Sequence, residues 1–214
     1  MFVIEKYFLA KLPSLGNDSF YKCWNITSVS LNLPNAEIGI RIFEGCRGLV
    51  SASFVNGFKS ITKDMFMDCI KLKSISLPDS ISNLSFRCLH NTALESFKIP
   101  NSVRSIGFFG VIPTLKRIYI GSPSQLVEIQ YNTFGWLNCQ GQAELTFPNI
   151  EYIGLASNNN FVVYNNYLYT KDYKTLIVCL PENQNDTTNF SPKTEIIQSF
   201  AFFNKHNLKK INFQ

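Results

Sequence analysis

Charge is scarce in this chain. Lys, Arg, Asp and Glu make up 16% of its 214 residues, and the formal net charge is +5. Only "NKHNLKK", residues 204–210, clusters basic residues. Nucleic-acid binding needs a basic stripe that this chain lacks. No apolar run approaches the roughly 20 residues of a membrane-spanning helix. The opening "MFVIEKYFLAKLP" is apolar, but Glu5 and Lys6 split it, and it lacks the regions of a signal peptide. The chain is therefore expected either to bypass that export route or to be a piece of a longer protein. Its end, "LKKINFQ", stops where a strand would just be finishing, which favours a piece. There are two histidines, His90 and His206, and neither has a metal-ligand partner at the usual spacing. Both read as solvated loop residues. No nucleophile elbow, phosphate loop or zinc-helix motif is present. Asp64 and Asp68 lie on one turn and read as a solvated face. No catalytic residue, metal ligand or cofactor follows from such a set.

What the chain has is hydrophobic content, 45%, with 19 Phe, and a period. An aliphatic residue followed by a small or polar one recurs at Leu15, Ile38, Ile61, Leu84, Ile106, Ile129 and Ile153, and returns at Ile197. The steps are 23, 23, 23, 22, 23 and 24 residues, then a gap of 44. Five residues on stand Phe20, Phe43, Phe66, Leu89, Phe134 and Phe202. Three beyond those stand Cys23, Cys46 and Cys69, with Thr92 and Lys205 filling the same slot. A further aliphatic follows, as at Leu49, Leu72, Leu94 and Leu115. An apolar pair one residue apart closes each unit: Val29/Leu31, Ala52/Phe54, Ile75/Leu77, Phe97/Ile99, Ile118/Ile120, Leu145/Phe147 and Ile211/Phe213.

The unit is thus close to I-G-x-x-A-F-x-x-C-x-x-L-x-x-I-x-L-P. Its L-x-x-I-x-L part puts apolar side chains on one face of a short strand and polar ones outward. Its I-x-x-x-A-F part should form a tight helical or 3₁₀ turn that drops the Phe into the same core. One unit cannot bury that face alone, whereas stacked units bury it continuously and pair their strands in parallel.

This pattern closely resembles the BspA-like leucine-rich repeat family, the treponemal-type repeats of bacterial surface proteins and of large families in parasitic protists. The expected fold is an α/β leucine-rich-repeat solenoid. It has parallel β-strands, one per roughly 23-residue coil, short helical or 3₁₀ turns, and a small β-meander insert. Leucine-rich repeats occupy residues 1–160 in about seven coils. The fifth unit is two residues short, the sixth carries "GWLNCQGQ" in place of its Cys and Leu, and the seventh lacks the Phe. The meander spans 161–182, with strand-like runs at 161–164, 167–170 and 175–180. Asn165-Asn166 supplies the positive φ of a tight hairpin turn. A polar loop and a resumed repeat fill 183–214.

Function follows from the face this fold would present. The outward strand positions are Ser30, Ser53, Ser76, Lys98, Tyr119, Thr146 and Asn212, flanked by Ser28, Ser51, Ser74, Ser96, Arg117, Glu144 and Lys210. Tyr and Arg are frequent interface anchors, so Lys98, Arg117 and Tyr119 are the candidate hot spot beside a flat ladder of Ser30, Ser53 and Ser76. Cys23, Cys46 and Cys69 recur one coil apart, close enough for disulfides, but small buried thiols suit the slot better. Sequons occur at Asn17, Asn25, Asn83, Asn185 and Asn189, and the last two, in a polar loop, are the best glycosylation candidates. The resemblance implies a non-catalytic, protein-binding module of a surface antigen or adhesin, located at the cell surface and contacting a host, matrix or cellular protein. The alternative is a cytoplasmic leucine-rich repeat scaffold for protein–protein interaction.

Overall fold

The L-x-x-I-x-L segments become parallel strands, stacked one coil apart. A computed structural model describes residues 2–3, 12–33, 35–121, 123–156, 160–180, 186–203 and 205–212. Strands Ile26–Leu31, Ser51–Phe54 and Ser74–Ser76 pair in parallel, with Ser28 opposite Ser51 and Ser51 opposite Ser74. Strands Ser96–Ile99, Arg117–Ile120 and Tyr152–Leu155 form a second parallel group. The aliphatics Leu15, Ile38, Ile61, Leu84, Ile106 and Ile129 each close a two-residue strand on the other side of the coil. These short strands pair as Ser14–Leu15 with Glu37–Ile38, Ser60–Ile61 with Asn83–Leu84, and Ser105–Ile106 with Glu128–Ile129. The core lies between the two ladders. Leu49, Leu72 and Leu115 are fully buried in it, as are Phe43 and Phe66.

Phe20, Phe43 and Phe66 stack almost parallel, at centroid separations of 5.3 and 5.6 Å. A coil repeat close to the strand spacing of about 4.8 Å forces the rings face to face and slightly offset. Leu89 ends the column. In the short fifth coil the corresponding place falls to Gly110, at φ 135°. A Cβ there would lie 2.4 Å from the backbone N of His90, so only glycine fits. Phe109 fills the core instead, 5.6 Å from Phe97 and 5.2 Å from Phe147.

The connecting turns differ from expectation. Among the described residues there is no helix of either the α or the 3₁₀ type. Asp18 and Lys22, Arg41 and Gly45, Asp64 and Asp68, and Arg87 and Asn91 all have positive φ, four residues apart within each coil. A left-handed residue that often cannot belong to a right-handed helix. Alternate N–H groups also leave the turn. Phe43 N donates to Met65 O at 2.9 Å and Phe66 N to Cys88 O at 3.0 Å. The groups between them close four-residue β-turns, such as Cys69 N to Phe66 O at 3.1 Å. The coil is a run of β-turns whose spare donors stitch it to the next coil.

After Ile129 the stacking changes. Gly135–Leu137 and Ala143–Leu145 form an antiparallel hairpin. The segment read as the sixth strand, Leu145/Phe147, therefore does not join the main sheet, and Thr146 is fully buried rather than outward. Tyr152–Leu155 takes the place beside Arg117–Ile120, so Ile153 belongs to a main strand and does not open a coil. The meander forms as three antiparallel strands, Phe161–Tyr164, Tyr167–Thr170 and Thr175–Cys179, with Asn165 and Asn166 both at positive φ. Its third strand pairs in parallel with Ile196–Ile197, so the repeat resumes on the meander itself. Tyr167, Tyr169, Leu176, Cys179 and Ala201 make a second small core there, packed by Val162, Phe190 and Phe202.

Candidate partner-binding face

The outward strand positions stand where the alternation puts them. Lys98 and Arg117 are exposed, and Tyr119 is 40% exposed. Tyr119 pairs with Lys98 on one side and with Gly154 on the other. Ser30 and Ser76 are exposed, while Ser53, between them, is half-buried. The ladder of Ser30, Ser53 and Ser76 lies in the first strand group. Lys98, Arg117 and Tyr119 lie in the second, so the structure gathers the latter three into one patch.

That patch has a member the sequence reading missed. Tyr152 is 46% exposed, and its ring lies 6.0 Å from that of Tyr119. Both rings close over Gly154. A Cβ there would meet Tyr152 Cε1 at 2.8 Å and Tyr119 Cδ1 at 3.0 Å. Glycine thus lets two tyrosines cover one outward position. The signal was present: Ile150-Glu151-Tyr152-Ile153-Gly154-Leu155 repeats the L-x-x-I-x-L pattern of Leu115 to Ile120. Lys116 and Glu151 pair at 3.4 Å beside it. Among the described residues neither Lys98 nor Arg117 takes part in an ion pair. The face is therefore aromatic and cationic, with its charges open to an acidic partner.

The other singled-out residues are structural. Asp64 is buried, and both its oxygens accept from Arg87 one coil on, at 2.9 and 3.2 Å. It is not the solvated carboxylate expected from the sequence. Arg41 bridges to Asp18 in the same way at 2.7 Å, and that bond holds the Asp18 carboxyl below its ordinary range. His90 is half-buried rather than solvated. Its Nδ1 accepts from Val111 N at 3.1 Å, and burial lowers its pKa. His206 is exposed.

All six cysteines are free thiols. Cys46 Sγ donates to Phe20 O and Cys69 Sγ to Phe43 O, each at 3.1 Å. Burial pushes the Cys46 thiol up to about 11 and the Cys69 thiol higher still. Such thiols are poor nucleophiles. Lys205 fills the same slot, with its Nζ donating to Leu180 O at 2.7 Å. Asn189 is exposed, and Asn185 lies outside the described residues. No cluster of three metal-ligating side chains occurs among the described residues.

A family model for the BspA-type leucine-rich repeat region matches residues 13–140 in six copies. The chain belongs to the BspA-type leucine-rich repeat family. Members of this family are generally non-catalytic modules built on a fold typically used for protein binding. A leucine-rich repeat protein from Eubacterium ventriosum is similar in structure, with a TM-score of 0.68 and 21% identity. The match covers 99% of this chain and 53% of that one, so the chain spans about half the length of that protein. A leucine-rich cell surface protein from Faecalibacterium prausnitzii has a TM-score of 0.57 and 18% identity, over 94% of this chain and 64% of that one. At these identities the likeness is one of fold. No curated protein matches the chain in sequence. No described helix is long and apolar enough to cross a membrane.

Proposed function

We propose that this chain is the binding region of a surface antigen or adhesin-like protein. It contacts its partner, without chemistry, through the outward face of the main sheet. The organisation read from the sequence serves this role: repeats over 1–160, a meander over 161–182 that spaces the array, and a loop and resumed repeat over 183–214. The observation that carries the reading is the patch itself, where Lys98, Arg117 and Tyr119 stand together in the open and Tyr152 joins them. Exposed tyrosines beside unpaired cations are the usual anchors of an interface, and the unpaired charges favour an acidic partner. Ser30, Ser53 and Ser76 supply a flat polar flank. Membership of the family, together with the surface location in the name of the Faecalibacterium relative, supports placement at the cell surface. Exposed Asn189, and Asn185 in the same loop, are the glycan acceptors in that setting.

A second reading, an intracellular scaffold, is favoured by the six free thiols, since oxidising compartments favour disulfides. Surface labelling and glycan analysis of the native protein separate the two. A protein that is neither labelled at the surface nor glycosylated removes the adhesin reading. Charge reversal at Lys98 and Arg117 together should weaken partner capture by roughly tenfold or more. Capture that is unchanged in the double variant removes the patch.

A further inference from the structure

The main strands form two parallel groups, and Tyr152–Leu155 is an outer strand of the second, as Ser96–Ile99 is at its other end and Ser74–Ser76 is in the first. Strand Tyr152–Leu155 pairs with Arg117–Ile120 on one side and with no described strand on the other. Tyr152 N donates to Lys116 O at 3.0 Å and Ala156 N to Ile120 O at 3.0 Å. In a parallel ladder alternate residues turn their N–H and C=O to opposite sides. Residues 152, 154 and 156 therefore face Arg117–Ile120, and Ile153 and Leu155 turn their backbone groups the other way. They turn them toward a cleft of about 500 Å³. Its far wall is the first strand of the meander, with Phe161, Val162 and Val163, and Asn166, Lys171 and Leu180 also line it. That meander strand is itself the outer strand of its own sheet among the described residues, with Tyr167–Thr170 as its strand partner. The cleft is the gap where the array would have placed its next coil.

Exposed strand edges are normally protected by an inward charge, a proline or a bulge. Tyr152-Ile153-Gly154-Leu155 contains no Lys and no Pro, and its pairing to Arg117–Ile120 runs without a register shift. The edge is left ready for pairing. The cleft also carries one uncompensated charge. Glu151 is held by Lys116, while the Lys171 ammonium is exposed and takes part in no ion pair among the described residues. The cationic face of Lys98 and Arg117 continues onto the same edge through Tyr119 and Gly154.

We propose that the free edge of Tyr152–Leu155 captures an extended segment of a partner protein as an added β-strand, with an acidic residue of that segment meeting Lys171. Ile153 and Leu155 supply the main-chain hydrogen bonds. The apolar walls take every second side chain, since strand addition draws affinity from the backbone and specificity from alternate pockets. At about 3.3 Å per residue the four-residue edge accepts a core of about four residues. The site does not depend on the outward patch, because the bonds it uses lie in the plane of the sheet and not on its face.

The test uses the full chain and a panel of synthetic decapeptides that alternate Val or Ile with Thr and carry one Glu or Asp at either end. Binding by at least one member, with slowed amide exchange at Ile153 and Leu155, is the expected result. Leu155→Pro removes the N–H that faces the cleft and should abolish binding. Peptide N-methylated on the bonding edge should fail against the unaltered protein, which keeps the test valid if the proline variant does not fold. Lys171→Glu should weaken binding about fivefold. The proposal is overturned if no panel member binds at about 1 mM, or if the N-methylated peptide binds as well as its parent. Protection that appears at Lys98 and Tyr119 instead of Ile153 and Leu155 also overturns it. A dimer of the chain whose formation protects the same two amides, with no peptide bound, would assign the edge to a second copy and likewise overturn it. Charge reversal at Lys98 and Arg117 leaves decapeptide binding nearly intact, so loss of the outward patch and loss of the edge site are told apart.

Discussion

In the first three coils Phe20, Phe43 and Phe66 stack at 5.3 and 5.6 Å, and the outward strand positions are all serine. From residue 96 on, Gly110 interrupts the aromatic column, a hairpin replaces a strand, and the outward positions become Lys98, Arg117, Tyr119 and Tyr152. The regular region repeats one solution, and each coil covers the last. The irregular region leaves features uncovered: a two-tyrosine patch, a free strand edge and a cleft. A solenoid gains its stability from repetition, and here its candidate recognition sites gather where repetition lapses.

The largest test of this contrast lies in the aromatic column. Phe66 is fully buried and touches both Phe43 and Phe54. Phe66→Ala should cost about 3–5 kcal/mol in chemical denaturation. Phe202→Ala, at a half-buried ring packed against the second core, should cost roughly half as much. Equal losses would mean that the regular stack holds no special share of the stability.

A smaller test compares the two Asp–Arg bridges. Arg87→Ala strands the buried Asp64 carboxylate and should lower stability by about 3 kcal/mol. Arg41→Ala removes a partner from the exposed Asp18, which water can solvate, and should shift the melting temperature far less. If the two variants melt together, burial of Asp64 is not what distinguishes the bridges.

The smallest effect belongs to His90, at the junction of the two regions. Burial lowers its folded pKa from the ordinary 6.5. Below that pH the unfolded chain takes up a proton that the folded chain resists. Stability is therefore present above about 6.5 and falls as the pH drops through the window between the two values. His90→Asn keeps an acceptor for Val111 N and removes the titration. Melting curves of the two proteins from pH 8 to pH 5 should diverge as the pH falls, and parallel curves would exclude the coupling.

Much of this was legible in advance. The 23-residue step fixed the register of Ser28, Ser51 and Ser74, because parallel stacking turns sequence period directly into strand partners. Asn165-Asn166 marked its own turn, and the meander strands fell where β-branched and aromatic residues ran. The turns were misread because I-x-x-x-A-F fits a helical spacing. The positive φ at Asp64 and Asp68 arises from bonds to the next coil, which no local pattern encodes. Asp64 and His90 looked solvated for the same reason, since their partners lie 23 and 21 residues away. Tyr152 was missed because Ile153 fits two readings, as the start of a coil and as the heart of a strand.

The sequence by itself determined the repeat, the family and the set of side chains that face outward, since alternation along a strand is a local property of the backbone. Tertiary structure alone decided that Tyr119 and Tyr152 become neighbours and that the array stops pairing at Tyr152–Leu155. Both outcomes depend on which strand wins the place beside Arg117–Ile120. Tyr152–Leu155 takes that place, while Ala143–Leu145 pairs with Gly135–Leu137, a choice between distant partners that no local pattern encodes.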